Sequence, residues 1–322
     1  MRRTAVSDGR RAPAVRSVAR ASSARARNRV GFDSGLDRDD DLLQACGPRR
    51  IACRRASLPL VVKHVPRRRF SQNFLVDPNY AGRIVQAIDP RPGDTLVEIG
   101  PGQGALTERL IERAGRVAAI EIDRDLARDL RARFSADRLT LHEGDALEFD
   151  FSALGDDLRV VGNLPYNISS PLLFHLLDFA PRLRDVTVML QREVVDRMTA
   201  KPATPDYGRL TVMLQSQFEI LRLFNVPRGA FRPAPKVESA VVHLAPLAGM
   251  APHIADRDLF AKVVKAAFGQ RRKTLRNALS ALADESALRR AGVDPSDRGE
   301  TLPVADFALL ANRLVAGDTP PD

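Results

Sequence analysis

The sequence predicts an α/β fold in which a mostly parallel sheet carries helices on both faces and a small all-helical domain follows. Short apolar stretches alternate with amphipathic stretches from about residue 80, a pattern that requires crossover connections between parallel strands. A glycine-rich segment joins the first apolar stretch to the next amphipathic one, as in sheets that bind nucleotides. From about residue 249 the pattern is helical, without strand candidates.

The 322 residues divide into three predicted regions: an extension at 1–65, the α/β domain at 66–247 and the helical domain at 248–322. Residues 1–65 are rich in Arg, Ala and Ser and lack apolar periodicity, so we expect them to be disordered. They carry 15 Lys and Arg against 6 Asp and Glu, a net of +9, which leaves +1 of the total +10 for residues 66–322. A nucleic-acid surface on the folded part must therefore come from local patches.

Three interpretations of the extension compete. Residues 1–29 contain nine Arg and only one acid, Asp8, which fits a transit peptide, although the acidic run at 37–41 does not. A basic arm that contacts RNA is the second interpretation. We favour the third, an unselected extension upstream of the domain, because nothing in the segment resembles a binding element.

Cysteine usage and hydropathy restrict the site chemistry and the compartment. Both cysteines, Cys46 and Cys53, lie in the extension, so residues 66–322 offer neither a disulfide framework nor a thiolate metal site. We expect no metal and a cytoplasmic location. No apolar run approaches the roughly 20 residues of a membrane span, so we expect no membrane partner.

The predicted elements follow in order. Buried strands are predicted at 94–100, 116–123, 138–146, 158–166 and 185–191. Helices are predicted at 80–88, 105–115, 124–134 and 169–179. Two later extended stretches, 217–226 and 236–244, predict an antiparallel hairpin at the sheet edge.

The glycine-rich segment VEIGPGQGALTERL predicts a nucleoside site. Gly100 and Gly102 let the backbone turn tightly and approach a ligand closely. Glu121 ends the next strand and can accept hydrogen bonds from both ribose hydroxyls. Asp145 follows the third strand and can accept from an adenine amino group. The alternative is a tight turn beside surface acids that binds no ligand. Because the glycine-rich segment, Glu121 and Asp145 occur together, a nucleoside site is favoured.

The loop alone leaves the type of nucleotide open. Gly100-x-Gly102-x-x-Ala105 also satisfies the relaxed dinucleotide pattern, so a dehydrogenase is a rival. A phosphate-binding P-loop is excluded because no Gly-Lys-Ser/Thr follows.

The stretch Asn163-Leu164-Pro165-Tyr166, at the end of the fourth strand, favours chemistry on an exocyclic base amine. The Asn163 side-chain oxygen and the Leu164 carbonyl can both accept hydrogen bonds from an NH₂ group, because Pro165 keeps the preceding residue extended. Two such acceptors free the nitrogen lone pair for attack. Tyr166 offers a face on which a base can stack.

A dehydrogenase would instead need a His or Lys near a nicotinamide, and no histidine follows a predicted strand convincingly. The alternative without function is a proline turn with a half-buried tyrosine.

Several stretches resemble one family, the KsgA-type ribosomal RNA adenine dimethyltransferases. The resemblance covers residues 67–315 and rests on NLPY, VEIGPGQGALT, RRRFSQNFLVD, YGRLTVMLQ, FRPAPKVESAVV and FGQRRKTLRNAL. It implies a Rossmann-like, S-adenosylmethionine-dependent methyltransferase domain. It also implies dimethylation of N6 on two adjacent adenosines near the 3′ end of small-subunit rRNA during ribosome assembly. Ser71 stands where the family often has glycine.

The resemblance also implies residue roles. The implied cofactor contacts are Asn73, Leu75, Gly100, Gly102, Glu121, Asp145 and Asn163. Phe231 is either a second stacking face for the target base or a core residue at the base of a hairpin, and the resemblance favours stacking. Arg271, Arg272, Lys273 and Arg276 lie in a stretch without acids between Asp258 and Asp284, so we expect them to contact RNA phosphates.

Two alternative functions remain. One is a large-subunit rRNA dimethylase of the macrolide-resistance kind, which QRRKTLRN at 270–277 disfavours. The other is a non-catalytic RNA-binding assembly factor with the same fold, which the intact turn at Asn163–Tyr166 disfavours. We expect a monomer that acts on the pre-ribosomal small subunit.

Overall fold

The computed structural model describes residues 72–247, 249–270 and 272–315. The predicted extension at 1–65 lies outside these residues. Among the described helices, none combines the length and apolar character needed to cross a membrane.

The strands lie in the first two thirds of the described chain. They are β1 (Phe74–Leu75), β2 (Thr95–Ile99), β3 (Val117–Glu121), β4 (Leu139–Glu143), β5 (Leu158–Asn163), β6 (Leu183–Gln191), β7 (Phe218–Val226), β8 (Phe231–Arg232) and β9 (Ser239–Pro246).

The helices alternate with the strands and then continue alone. They are α1 (Pro78–Ile88), α2 (Thr107–Ala114), α3 (Arg124–Arg133), α4 (Ser169–Asp178), α5 (Arg192–Met198), α6 (Arg209–Gln215), α7 (Arg257–Gly269), α8 (Leu275–Ala278), α9 (Glu285–Arg290) and α10 (Val304–Val315).

Seven strands form one sheet in the order β4-β3-β2-β5-β6-β9-β7. The five strands from β4 to β6 pair in parallel, and α2, α3 and α4 supply three of the four crossovers. These are the five strands that the apolar stretches predict, so the α/β fold class is confirmed. Their carboxyl ends meet at one edge of the sheet, where such folds bind ligands.

The predicted antiparallel pairing of the two later stretches is confirmed, and one of the two strands also pairs with β6. Strand β9 pairs with β7 and also with β6, both antiparallel. It therefore lies inside the sheet, and only β7 forms the edge. The short pair β1–β8 is separate and joins Phe74 to Arg232 and Leu75 to Phe231.

Separate hydrophobic cores form on the two faces of the sheet and among the carboxyl-terminal helices. One face packs against α4 through residues such as Leu172 and Leu176, and the other packs against α1 and α2. The helices after β9 surround a third core that includes Phe260 and Phe307. Described residues after 249 form no strand, as predicted, whereas the domain boundary at 247 stays a prediction.

A buried ion cluster stabilises the amino-terminal edge of the sheet. Arg159, 8% exposed, donates from its guanidinium to Asp94 at 2.7 Å and to Asp185 at 3.0 Å. It also donates to the backbone carbonyl oxygens of Ile88 and Asp89. Burial by itself would raise the pKa of Asp94, but hydrogen bonds from the Arg91 amide and from two guanidinium groups bring it below its usual value.

We predict that Arg159→Met lowers the free energy of unfolding by about 3–5 kcal/mol, because it leaves buried Asp185 without its cation and Asp94 with Arg184 alone. Chemical denaturation at pH 7 measures this loss. The lowered pKa of Asp94 stabilises the fold above the unfolded pKa, and this stabilisation is lost as the pH falls through the folded value. The wild type should therefore lose more stability than the variant in acid.

Arg182→Met is the matched control. Arg182 pairs with Asp156 on the surface, and such a pair contributes at most about 1 kcal/mol. Equal losses for the two variants would contradict the structural role of the buried cluster.

Candidate active site

A cleft of about 270 Å³ opens at the carboxyl ends of the parallel strands. Its lining includes all but one of the predicted cofactor residues together with the four-residue turn after β5. These predicted residues are Asn73, Gly100, Gly102, Glu121, Asp145, Asn163, Leu164, Pro165 and Tyr166.

The loop between β2 and α2 needs glycine at position 102. Gly102 has a φ of +58°, a conformation in which side chains are strained. A Cβ atom there would lie 3.3 Å from the ring of Phe74, which itself lines the cleft. A larger residue would therefore displace the loop or the aromatic ring.

Glu121 holds the glycine loop and faces the cleft. Its two carboxylate oxygens accept from the Gly102 amide at 3.0 Å and from the Asp123 amide at 2.9 Å. Burial raises the pKa of Glu121, although these backbone hydrogen bonds oppose the rise. A carboxylate has about four acceptor positions, so two remain for the hydroxyls of a ribose.

A second carboxyl group lies beneath the loop. Glu98 is 1% exposed and accepts a hydrogen bond of 2.6 Å from the Thr107 hydroxyl at the start of α2. Burial raises the pKa of Glu98 to about 7; the Thr107 hydrogen bond opposes this rise, and the nearby Glu121 adds to it. Glu98 cannot be recognised as a site residue from the sequence, because an acid inside a strand stretch gives no signal of its surroundings.

Gly162 allows β2 and β5 to meet closely beside the cleft. A Cβ atom at this position would lie 2.4 Å from the carbonyl oxygen of Ile99, so a larger residue must push the strands apart. The close approach brings the glycine loop against the turn after β5: a Cβ at Gly100 would lie 3.9 Å from both the Asn163 carbonyl oxygen and Pro165 Cδ.

The Asn163 side chain is oriented from outside its own turn. Its Nδ2 donates to the backbone carbonyl of Asn73 at 3.1 Å. Since the amide nitrogen is engaged, the Oδ1 atom is the acceptor left for a ligand. The next residue is fixed as well, because the Leu164 amide donates to the Met189 carbonyl at 3.1 Å.

Tyr166 is fixed by Ser239, the first residue of β9. The two hydroxyl groups lie 2.6 Å apart, and Ser239 is fully buried. Burial raises the pKa of Tyr166, and the Ser239 hydrogen bond only partly offsets this. The phenol therefore stays neutral near pH 7 and presents an uncharged ring at the cleft.

Two predicted site residues lie elsewhere. Leu75 is 6% exposed and Phe231 is fully buried; they face each other across the β1–β8 pair and belong to the core against α1. Neither lines the cleft. Phe231 thus occupies the core position that was the alternative to a stacking face, while the stacking role of Phe231 and the cofactor contact of Leu75 stay predictions.

The cleft also contains residues that sequence reasoning missed. Phe74, Gly144 and Asn167 line it. Ile122 also lines it with 43% of its surface exposed, which gives an aromatic ligand ring an apolar face. The one signal for Ile122 in the sequence is its position directly after Glu121, the acid that ends β3.

The predicted RNA residues lie on the carboxyl-terminal helical part. Arg272, Lys273 and Arg276 are exposed, and Arg276 forms an ion pair with Glu285 at 3.5 Å. Arg271 lies outside the described residues. Their contact with RNA stays a prediction.

Comparison with known proteins gives consistent matches. The family model described as ribosomal RNA adenine dimethylase matches residues 63–315. The ribosomal RNA small subunit methyltransferase A of Aromatoleum aromaticum is 58% identical over 254 residues, which cover 79% of this chain and 96% of that relative. The protein of the same name from Thiobacillus denitrificans is 58% identical over 251 residues, which cover 78% and 98% of the two chains.

Solved structures show the same architecture. A dimethyladenosine transferase from Plasmodium falciparum is 26% identical with a TM-score of 0.64, and the match covers 74% of this chain and 95% of that one. The 23S rRNA methyltransferase ErmE is 30% identical with a TM-score of 0.57, and the match covers 76% and 100%.

We predict that Glu121→Ala raises the dissociation constant of S-adenosylmethionine roughly ten- to a hundredfold, since hydrogen bonds to a charged group contribute about 1.5–3 kcal/mol. Isothermal calorimetry measures it. The control is Glu143→Ala: Glu143 is opposite Glu121 in the β3–β4 register but pairs with Arg131. An unchanged isotherm for Glu121→Ala would remove the ribose contact.

We predict that Glu98→Gln gains stability relative to the wild type as the pH rises from 5 to 8. The folded wild type holds a proton up to a pKa of about 7, whereas the unfolded chain releases it near its ordinary value, so wild-type stability falls over this interval. One pKa unit corresponds to about 1.4 kcal/mol.

Denaturant titrations at both pH values measure the difference in unfolding free energy between Glu98→Gln and the wild type. The exposed Glu112 on α2 supplies the control, Glu112→Gln, for which the difference should not change with pH. A pH-independent difference for Glu98→Gln would show that Glu98 is ionised throughout.

Proposed function

The chain belongs to the ribosomal RNA adenine dimethylase family, and on this premise we propose that it dimethylates N6 of two adjacent adenosines near the 3′ end of small-subunit rRNA. S-adenosylmethionine is the methyl donor. The observation that carries the proposal is the orientation of Asn163. Its amide nitrogen is bound to the Asn73 carbonyl, so its oxygen is available in the cleft for the amino group of a base.

The acceptor nitrogen is activated by hydrogen bonding. The lone pair of an adenine amino group is delocalised into the ring, which makes it a poor nucleophile. We assign the Asn163 oxygen and the Leu164 carbonyl as two acceptors for the NH₂ hydrogens. Together they favour a more tetrahedral nitrogen whose lone pair points at the methyl group.

The target base must leave its stack to reach this cleft. The neutral ring of Tyr166 is held by Ser239 at 2.6 Å and supports one face of the base. Stacking on an aromatic residue contributes roughly 1–3 kcal/mol. Because this ring does not need to be ordered when RNA binds, more of that energy is retained.

The cofactor supplies an activated methyl group on its sulfonium. The protein supplies proximity and alignment. In the bound state Glu121 would hold the ribose and Asp145 would accept a hydrogen bond from the cofactor's adenine amino group, with the glycine loop around Gly102 lining the same cleft. The methylated amine is strongly acidic, so no dedicated base is assigned.

The substrate is bound beyond the cleft as well. We assign Arg272, Lys273 and Arg276 to rRNA phosphates, because these cations are exposed on the helical part of the chain. We further propose that the protein acts in the cytoplasm as a monomer, on a pre-ribosomal small subunit.

Methyl transfer to unmethylated small ribosomal subunits tests the function. Purified protein and tritiated S-adenosylmethionine should yield N6,N6-dimethyladenosine after nucleoside digestion. Asn163→Ala should lower this turnover by at least a hundredfold, while calorimetry still detects cofactor binding.

Asn79→Ala is the control, because Asn79 is an exposed residue in the first turn of α1 and should leave turnover unchanged. No label in small-subunit rRNA, with label entering large-subunit rRNA when unmethylated large subunits are offered in a parallel reaction, would refute the small-subunit substrate. Full turnover by Asn163→Ala would refute the activation of the amine.

A further inference from the structure

The segment 227–238, here called the rim loop, connects β7 to β9 beside the active site. Ser239, which follows it, pairs with Gln191 at the end of β6 and with Val226 at the end of β7. Because β9 runs antiparallel to β6, the loop emerges at the carboxyl edge of the parallel strands. This is the edge at which the cleft opens.

The centre and one end of the rim loop are attached to residues of the cleft. Arg232 pairs in β8 with Phe74, which lines the cleft. At one end the loop runs into Ser239, whose hydroxyl holds Tyr166. The Ala230 carbonyl accepts from the Val76 amide at 2.8 Å. The loop is thus fixed relative to the position of the target base.

The rim loop presents cations to solvent and packs Phe231 and Pro235 inward. Arg228, Arg232 and Lys236 are exposed, whereas Phe231 and Pro235 are buried. Arg228 donates to the Lys236 carbonyl at 3.3 Å, and Arg232 donates to the Phe231 carbonyl at 2.9 Å. These bonds hold the side chains near the backbone and leave further N–H donors on each guanidinium.

Nearby acids do not neutralise these cations. Within the described part of the chain, Arg228, Arg232 and Lys236 take part in no ion pair within 4.0 Å. The neighbouring Glu238 is paired with Arg192 at 2.7 Å. Asp77, which lies near Ala230, caps the first turn of α1. The rim loop therefore carries three positive charges that face solvent.

We propose that the rim loop binds the phosphates of the single-stranded RNA on either side of the adenosine in the cleft. The inference rests on the proposed function and adds a second phosphate-binding surface, separate from Arg272, Lys273 and Arg276. A flipped nucleotide stays connected to its neighbours, so their phosphates must pass the rim of the cleft. Cations fixed there bind the backbone in any sequence and hold the extruded base over Asn163.

The loop is built to bind with little reorganisation. Pro227, Pro233 and Pro235 restrict its backbone, and the β1–β8 pair ties its centre to the rest of the fold. A binding surface that is already ordered loses less conformational entropy when its ligand arrives. We therefore expect the loop to contribute to RNA affinity as well as to the charge of the protein.

Salt-dependent binding tests the proposal. The probe is a synthetic RNA stem-loop with two adjacent adenosines in its loop, and the variant is Arg232→Gln/Lys236→Gln. Each phosphate contact contributes about 0.7 to the slope of log affinity against log salt for single-stranded RNA. The slope should therefore fall by about 1.4, KM for RNA should rise, and the dissociation constant of S-adenosylmethionine should stay unchanged.

The charge-matched control is Arg113→Gln/Arg116→Gln, because these exposed residues lie at the opposite edge of the sheet, in the last turn of α2 and just before β3. Its slope should equal that of the wild type. If the double variant in the rim loop loses cofactor binding, the single variant Lys236→Gln replaces it in the salt-dependence measurement. Its slope should fall by about 0.7.

An unchanged slope in the rim-loop variants would overturn the proposal. A decrease of equal size in the control would also overturn it, because the effect would then reflect net charge. A wild-type protein that methylates neither the stem-loop nor unmethylated small ribosomal subunits would instead refute the proposed function.

Discussion

The close approach of β2 and β5 at their carboxyl ends is the constraint on which the site depends. Gly162 permits it, since a Cβ atom there would lie 2.4 Å from the Ile99 carbonyl oxygen. The approach places the glycine loop, which receives the cofactor, against the turn that begins at Asn163. Donor and acceptor sites thus share one wall, and a direct methyl transfer needs this proximity more than it needs acid–base groups.

Two polar contacts then fix the turn from opposite sides. The Asn73 carbonyl orients the Asn163 amide, and Ser239 holds the Tyr166 hydroxyl. The first contact comes from the segment before α1 and the second from an antiparallel strand. Parallel strands alone would leave the turn supported on one side. The antiparallel addition of β9 therefore serves the site, and it also places the rim loop, residues 227–238, at the mouth of the cleft.

Charges are distributed differently at the two edges of the sheet. At the amino edge, Arg159 neutralises the charges of Asp94 and Asp185, so the buried ion cluster stabilises the fold. At the carboxyl edge, Glu98 and Glu121 lie close together, and burial raises the pKa of both. Acids buried without a cation lower the stability of this edge, in keeping with the concentration of perturbed groups at functional sites.

The sequence by itself determined the α/β class, the five parallel strands, the glycine loop with Glu121 and Asp145, and the turn at Asn163–Tyr166. These features depend on local periodicity, on turn chemistry and on the rule that parallel strands end at one edge. Tertiary structure alone decided that Phe231 and Leu75 lie in the core, that Ser239 holds Tyr166 and that β9 lies between β6 and β7. Such facts depend on which distant segments meet, and a side chain's neighbours across the sheet leave no trace in the residues beside it along the chain.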